Sequence, residues 1–505
     1  MSHEWLILAI AGVLGLGLAS RQGALPPVTR LALAALPVLL AALVFVYREA
    51  ALLNTYWVWS GCRLAPALGW LQGYPLYSPV DAGPVNGWLY GPVAAVAWLP
   101  AALARSPAPA LLIAAVINLA FLLLPIFAAT RRATREARID GGLAFAAAAA
   151  ALLLFYPTWY MAAALSVDAV AAGLGAAACV ALLGPEAGPR RIVLAALLAA
   201  LATWTKQVEA PLALGLAAWL WFHRRSRAAL GFAAAHAAAL LLIAAPVFTL
   251  LSARDVVFNL WTVPAHHPLP GGWSTARVEL LELVRYSAPL WIPCAGALFL
   301  ARRGRTAWAP AGASVFLVAA LAVLPTGVLA AIKLGGDRNS LHSVYFLAIA
   351  TALALAGEWP AGLRRSREWR TAGLLTAAVL ATTLSFRQTE AHARLTALPA
   401  QCLSQEDWAF ARTRPGEIYF PWDPLATLLA EGKMYHFEYG VFDRIAAGRP
   451  LTAAQLASGL PTRPALVIYP KADYPRTMLA GFPGYVFDRT TDGWIVFRAP
   501  PGAAP

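Results

Sequence analysis

The sequence predicts an α-helical polytopic membrane protein of about 11–13 transmembrane helices with a small C-terminal α/β domain outside the cytoplasm. Three observations predict it. Of 505 residues, 60% are hydrophobic and only 13% charged, against roughly 45–50% and about 25% in soluble domains. The apolar residues gather into stretches such as 30–47, 109–129, 228–252 and 307–331, each near the roughly 20 residues that cross a bilayer core. The last hundred or so residues change character, with mixed charge and short strand-like runs. A water-soluble enzyme of this size is excluded.

Taken in order, apolar runs bounded by Arg, Pro or Gly place spans near 5–19, 30–47, 89–104, 109–129, 141–156, 166–184, 192–204, 209–222, 228–252, 287–301, 307–331, 341–357 and 371–386. The first run lacks a basic leader and a cleavage site, so it is expected to be a span and not a removed signal. The pair 192–204 and 209–222 is interrupted by Thr205-Lys206-Gln207-Val208-Glu209. Polar backbone at that depth is tolerated only beside protein or a wet cavity, which marks the break as a functional-site candidate.

The net charge is +14. From Arg387 onward there are 12 basic and 11 acidic residues, so 27 basic against 14 acidic residues, or +13, remain in the membrane part. The excess lies in clusters at 131–138, 190–191, 224–227, 302–305 and 364–370, as the positive-inside rule expects of cytoplasmic loops. This accounts for the charge without nucleic acid. The clusters direct 205–208, 253–286, 332–340 and the chain after about 387 outward. Counting spans back places 48–88 inside, whereas its length and aromatics mark an external loop. One segment among the first four is therefore expected to be re-entrant or misread, and Pro92 and Pro100 make 89–104 the weakest span.

The expected division is a transmembrane unit over 1–386, containing the external loop 48–88, and an extracytoplasmic α/β domain over 387–505. Strands are expected at Glu417–Phe420, Ala465–Tyr469, Tyr485–Arg489 and Trp494–Arg498, the last two joined by Thr491-Asp492-Gly493. Helices are expected at 405–413, 424–431 and 452–458. The abundance of Ala, Pro and Gly with only four lysines, Lys206, Lys333, Lys433 and Lys471, reads as GC-rich bacterial coding and makes each lysine notable. The cysteines Cys62, Cys179, Cys294 and Cys402 show no metal-binding spacing.

Ionisable residues beside spans are costly and so are functional candidates. Asp168 opens the span 166–184 behind Ser166; a carboxylate at a helix start is also a structural device. Lys206 and Gln207 occupy the helix break, where a lone cation suits an anion such as phosphate. The loop 332–340 offers two glycines, Lys333, Arg338 and Asn339 before a span carrying His342, and amides at a helix start hold phosphate. His266 and His267 lie in a proline-rich outward loop and are candidates to meet a phosphate. The loop 48–88 carries Glu49, Asp81 and Asn86 among many aromatics, including Tyr74 and Tyr77, with Tyr90 just beyond. Interfacial belts explain aromatics; sugar binding, by stacking and by hydrogen bonds to acids and amides, explains them equally.

The ordered set Gly73-Tyr74-Pro75-Leu76-Tyr77, Tyr90-Gly91-Pro92, Asp168, Thr205-Lys206-Gln207 and Asn339 resembles the polytopic glycosyltransferases of the C superfamily, which include protein O-mannosyltransferases and the lipid A aminoarabinose transferase. The resemblance covers most of 48–357. It implies transfer of a sugar from a polyprenyl-phosphate donor to a lipid, glycan or protein acceptor on the outer face of a bacterial inner membrane. It further implies an acid in the first external loop as general base. The chain departs here, because Asn54-Thr55-Tyr56-Trp57 stands where that acid is expected. Asp168, Asp81 and Glu49 are the candidates to replace it. Lys206, Gln207, Arg338, Asn339 and His266 are expected to receive the donor phosphate, and Tyr74, Tyr77, Asn86 and Tyr90 to shape the sugar pocket. A divalent cation fits such a reaction, but no ligand cluster demands one. A lipid-linked sugar flippase and an inactive envelope scaffold are the competing readings.

Overall fold

A computed structural model describes residues 57–137, 161–184, 188–223, 226–270, 272–284, 311–336, 338–357, 403–462, 464–471, 475–491 and 493–500. The expected spans at 5–19, 30–47, 141–156, 287–301 and 371–386 lie outside these residues, as do Glu49, Cys294, Cys402 and the 386/387 boundary.

The membrane part is built from α1 (Trp57–Leu71), α2 (Pro92–Trp98), α3 (Pro107–Ala137), α4 (Val167–Leu182), α5 (Pro189–Thr203), α6 (Leu212–His223), α7 (Ser226–Leu250), α8 (Ala253–Val257), α9 (Val263–His266), α10 (Ala311–Ala331) and α11 (His342–Gly357). Segments Pro107–Ala129, Ser226–Leu250 and Ser314–Ala331 are long and apolar enough to cross a bilayer. Helix α7 leaves Leu230, Leu241, Leu242 and Leu250 exposed; its backbone hydrogen bonds are internal, so these side chains suit lipid contact. Helix α4 is buried on nearly every side and packs against α3, α5 and α11. Glycine permits the closest approach: a Cβ on Gly173 would stand 2.3 Å from the Phe121 carbonyl of α3, the small-residue contact typical of helices in membranes.

The C-terminal part comprises α12 (Leu403–Thr413), β1 (Ile418–Tyr419), α13 (Pro424–Glu431), α14 (Glu438–Ala446), α15 (Ala453–Ser458), β2 (Leu466–Pro470), β3 (Val486–Thr490) and β4 (Trp494–Arg498). The sheet order is β1-β2-β4-β3, with β1 parallel to β2 and the remaining pairs antiparallel. Local chemistry sets the helix starts. Asp423 caps α13 before Pro424, and Thr452 with Gln455 forms a reciprocal capping box on α15.

Three expectations are corrected. The loop 48–88 contains helix α1, which buries Leu64, Ala65, Ala67 and Leu68 and packs against α13; Gly61 and Pro66 hide this apolar face in the sequence. The span 89–104 begins only at Pro92 and finishes as the 3-10 turn Leu99–Leu103, because Pro92 suits a helix start while Pro100 denies a later amide. Helix α14 was not expected at all, since Phe437, Tyr439, Val441 and Phe442 favour strands and Gly440 disfavours a helix.

The loops joining α1 to α2, α7 to α10 and α10 to α11 meet the C-terminal part directly. Arg444 of α14 donates to the carbonyls of Ser78, Pro79 and Val80. His436 Nδ1 accepts the Val85 amide at 3.0 Å, and the Phe437 amide donates to the Val85 carbonyl at 2.7 Å. The His267 ring lies on the Asp443 carbonyl at 3.2 Å. The segments expected to face outward thus gather under one roof.

Candidate functional site

The floor of the site is the start of α4 set against the break between α5 and α6. Lys206 Nζ lies 2.6 Å from Asp168 Oδ1, and the two residues are only 6% and 2% exposed. The other carboxylate oxygen of Asp168 accepts the Ser166 hydroxyl. Both oxygens are therefore engaged, and Lys206 is fixed in direction.

Several elements hold this floor. Leu165, preceding the cap, has φ 45°, a left-handed conformation that costs a non-glycine residue roughly 1–3 kcal/mol and persists only when the surroundings over-determine it. They do: Asn118 Nδ2 of α3 donates to the carbonyls of Met161 and Ser166, the Ser166 amide donates to the Met161 carbonyl, and Arg63 Nη1 of α1 donates to the Ala164 carbonyl at 2.8 Å.

Gly91 carries the link to the first loop. Its amide donates to the Thr205 carbonyl at 3.1 Å, and a Cβ there would stand 1.7 Å from the Trp204 carbonyl oxygen. Only glycine allows the Tyr90-Gly91-Pro92 motif to lie on the helix break. Gln207 Nε2 seals the arrangement by donating to the carbonyls of Leu89 and Leu260, each at 2.9 Å. Tyr90, half-buried, is thereby held beside the break, and the charges of Arg63, Lys206, Asp168 and Asp443 reach its phenol. Burial holds that phenol in its neutral form. His342, at the start of α11, is buried within electrostatic reach of Asp168, Lys206 and Arg63.

The other expected residues distribute as follows. Tyr77 backs Tyr90, its hydroxyl donating to the Tyr90 carbonyl at 2.9 Å. Asn86 is buried and saturated within its own loop, bonded to Ser78, Pro75, Leu76 and Trp88. Tyr74 donates to the Gly432 carbonyl and fastens loop to roof. Asp81 lies at the surface, 63% of its side chain exposed, in an ion pair with Arg254, apart from the buried Asp168. His266 is exposed with Nδ1 on the Thr262 carbonyl, whereas its neighbour His267 turns inward to Asp443. Arg338 and Asn339 form the 3-10 turn Arg338–Leu341 that enters α11.

The roof was less legible. Arg63 sits one helical turn from Trp59, its guanidinium 5.8 Å from that ring. Trp59 in turn meets Trp422 and Tyr439 edge-on. Glu209, buried beside the break with Oε2 unbonded, and Asp443 were not singled out in the sequence; their signal was a carboxylate within an apolar neighbourhood. Among the described residues no three His, Cys, Asp or Glu side chains converge to hold a metal.

Residues 88–265 match the model of glycosyltransferase family 87, a range holding Tyr90, Gly91, Asp168 and Lys206. No curated protein matches the chain. Among solved structures it is similar to ArnT from Cupriavidus metallidurans bound to undecaprenyl phosphate, at 16% identity and TM-score 0.54 over 93% of this chain and 99% of that one. Apo ArnT from the same organism gives 16% identity, TM-score 0.49 and coverage of 92% and 97%. An Archaeoglobus fulgidus oligosaccharyltransferase gives 13%, 0.44 and coverage of 86% and 68%. The chain shares the fold of lipid-bound ArnT.

Proposed function

We propose that the protein is a membrane glycosyltransferase that moves a sugar from a polyprenyl-phosphate donor to an acceptor on the extracytoplasmic side of the membrane. The observation that carries the reading is the buried Lys206, aimed by Asp168 at a helix break directly beneath Tyr90-Gly91-Pro92. The fold shared with ArnT, crystallised with undecaprenyl phosphate, and the family 87 match support the same chemistry.

On this reading the acceptor oxygen attacks the anomeric carbon, the bond from that carbon to the phosphate oxygen breaks, and its electron pair stays on the departing polyprenyl phosphate. Negative charge thus grows on the phosphate. Lys206 meets it, with Arg63 as a second cation, in a site where fixed charges act with little solvent screening. Asp168 and Ser166 act as positioning residues, preventing Lys206 from turning to solvent. Tyr90, backed by Tyr77, lines the sugar position, and Asn339 offers a further contact at the start of α11.

The test is a transfer assay: purified protein in lipid, a panel of radiolabelled undecaprenyl-phosphate sugars, and membrane extract as acceptor. Label is expected to move to an extractable acceptor with wild type and not with Lys206→Met. Saturable binding of undecaprenyl phosphate with no transfer from any donor would instead identify a flippase or binding protein.

A further inference from the structure

Building on that glycosyltransferase reading, we infer that Asp443, from the roof helix α14, is the general base that activates the acceptor hydroxyl, replacing the acid missing from the first external loop. The acid expected near Asn54 is absent from the sequence. Asp168 has both oxygens committed to Lys206 and Ser166. Asp81 is exposed and paired with Arg254, and Asp255 Oδ1 accepts the Val80 amide.

Asp443 differs from all of these, and from Glu209, whose unbonded Oε2 is sealed from solvent beside the break between α5 and α6. It is 5% exposed, yet its carboxyl oxygens accept no hydrogen bond from any described residue. The nearest described cation-forming group, His267 Nε2, stands 3.7 Å from Oδ1, beyond bonding distance. Structural buried carboxylates are hydrogen-bonded as a rule, so an unbonded one has to be explained. Its position supplies the explanation. Asp443 sits where the outward loops meet: His267 and Gly335 lie against its carboxyl, its neighbour Arg444 holds the 78–80 loop, and its charge, like that of Lys206, reaches the Tyr90 phenol.

The carboxyl is hemmed by the loop after α10, where a Cβ on Gly335 would stand 3.4 Å from Oδ1 and 2.7 Å from the Tyr439 hydroxyl. Gly335 has φ +76°, a conformation natural to glycine, and its lack of a side chain keeps the approach to Asp443 open. Helix α14 is immobilised by Arg444, which holds three carbonyls of 78–80 and lies 4.9 Å over Phe258. Such rigidity is what general-base geometry requires.

The step balances as follows. An acceptor O–H gives its proton to Asp443 as its oxygen bonds to the anomeric carbon. The carbon–phosphate-oxygen bond breaks, the phosphate leaves with the electron pair beside Lys206, and Asp443 later returns the proton to water.

Burial pushes the Asp443 carboxyl up to about 8. His267 and the loop bearing Lys333 and Gly335 lie against it, with Tyr439 on its own helix and Arg444 beside it, and its charge reaches Tyr90 and Cys62. Transfer by wild type should therefore rise with pH and level off above about 8. The decisive experiment measures transfer from undecaprenyl-phosphate sugars and binding of undecaprenyl phosphate itself, in the full-length protein. Asp443→Asn should lower kcat by roughly 100-fold or more, keep undecaprenyl phosphate binding, and lose the rise with pH. Asp443→Glu should recover part of the rate. Wild-type transfer accompanied by an Asp443→Asn kcat within about threefold, or a wild-type profile flat between about pH 6 and about 9, would overturn the inference while leaving the glycosyltransferase reading intact. Absence of wild-type transfer from every donor, with undecaprenyl phosphate still bound, would remove both.

Discussion

Asp168 and Asp443 are two buried carboxyls whose charges both reach one phenol, that of Tyr90, and their surroundings could hardly differ more. Asp168 belongs to the membrane floor, where Lys206 and Ser166 take both its oxygens and Asn118 and Arg63 hold the backbone just before it. Asp443 belongs to the roof, where its backbone is fixed through α14 and its carboxyl accepts no hydrogen bond from any described residue. A fully paired carboxylate sets geometry, because moving a proton onto it would strand a buried lysine. A desolvated and unpaired one is poised to exchange a proton near neutral pH. The same residue type thus serves two purposes, decided by what surrounds it.

The most damaging change should be Lys206→Met. It leaves Asp168 as an uncompensated buried charge, a loss of about 3–5 kcal/mol for a broken buried pair. It also removes the cation facing the phosphate, worth roughly 100-fold to 1,000-fold in kcat by analogy with other preorganised charges. Thermal unfolding in detergent and the transfer assay should both register it. The double variant Lys206→Met with Asp168→Leu should recover stability without activity. Recovery of activity as well would show that the pair is structural and place the floor on a par with any other buried ion pair.

Next in size is Gly91→Ala. The added Cβ would meet the Trp204 carbonyl oxygen at 1.7 Å, and backbone cannot yield as a side-chain tip does. The first loop must lift from the helix break, carrying Tyr90 away from both carboxyls. Transfer should fall by at least tenfold while the α5 and α6 helices persist. An unchanged rate would mean that the distance between Tyr90 and the floor does not matter, which would undo the comparison.

Arg444→Ala should act on the roof alone. It deletes three donated hydrogen bonds to 78–80, each of the charged kind worth about 1.5–3 kcal/mol when its partner is buried. The expected results are faster proteolysis in the 74–88 loop and a several-fold rise in acceptor KM, with undecaprenyl phosphate binding retained. Loss of lipid binding would show that floor and roof are not separable.

Much of this arrangement was legible in the sequence, and the pattern of successes has a physical cause. The strands β2, β3 and β4 followed from alternation and a turn, and α12, α13 and α15 from helical patterns between the strands, because these signals are local. The helix break at Lys206 was visible as polar residues inside an apolar run, and its alignment with Tyr90-Gly91-Pro92 agreed with their order in the resemblance. Helix α14 was hidden because Gly440, the residue that argues against a helix, is there for a long-range reason. Its Cβ would stand 2.7 Å from Gly87 Cα, so the two glycines meet backbone to backbone across the loop–roof contact. The choice between His266 and His267 was likewise set by tertiary packing, as was the confinement of Asn86 to its own loop.

The smallest expected effect concerns a third carboxyl site, in the roof but away from Tyr90. Asp407 of α12 and Asp423 at the start of α13 are buried beside one another, with the Ser404 hydroxyl on Asp423 Oδ2 at 2.7 Å. Burial chiefly raises both groups, Asp423 to about 7 and Asp407 well above the usual carboxylate range, with the Asp423 charge adding to it. A carboxyl raised in the folded state stabilises it fully below the ordinary carboxylate pKa, and that contribution is lost as pH climbs through the raised value. The roof should therefore melt at progressively lower temperature as pH rises from about 4 toward and past about 7. Asp407→Asn, which keeps that side chain neutral at every pH, should flatten the slope and leave the pH profile of transfer unchanged, since Asp443 and not this pair faces the substrate. A shift in the transfer profile with Asp407→Asn would mean that the pH response attributed to Asp443 is in part the loosening of its supporting domain.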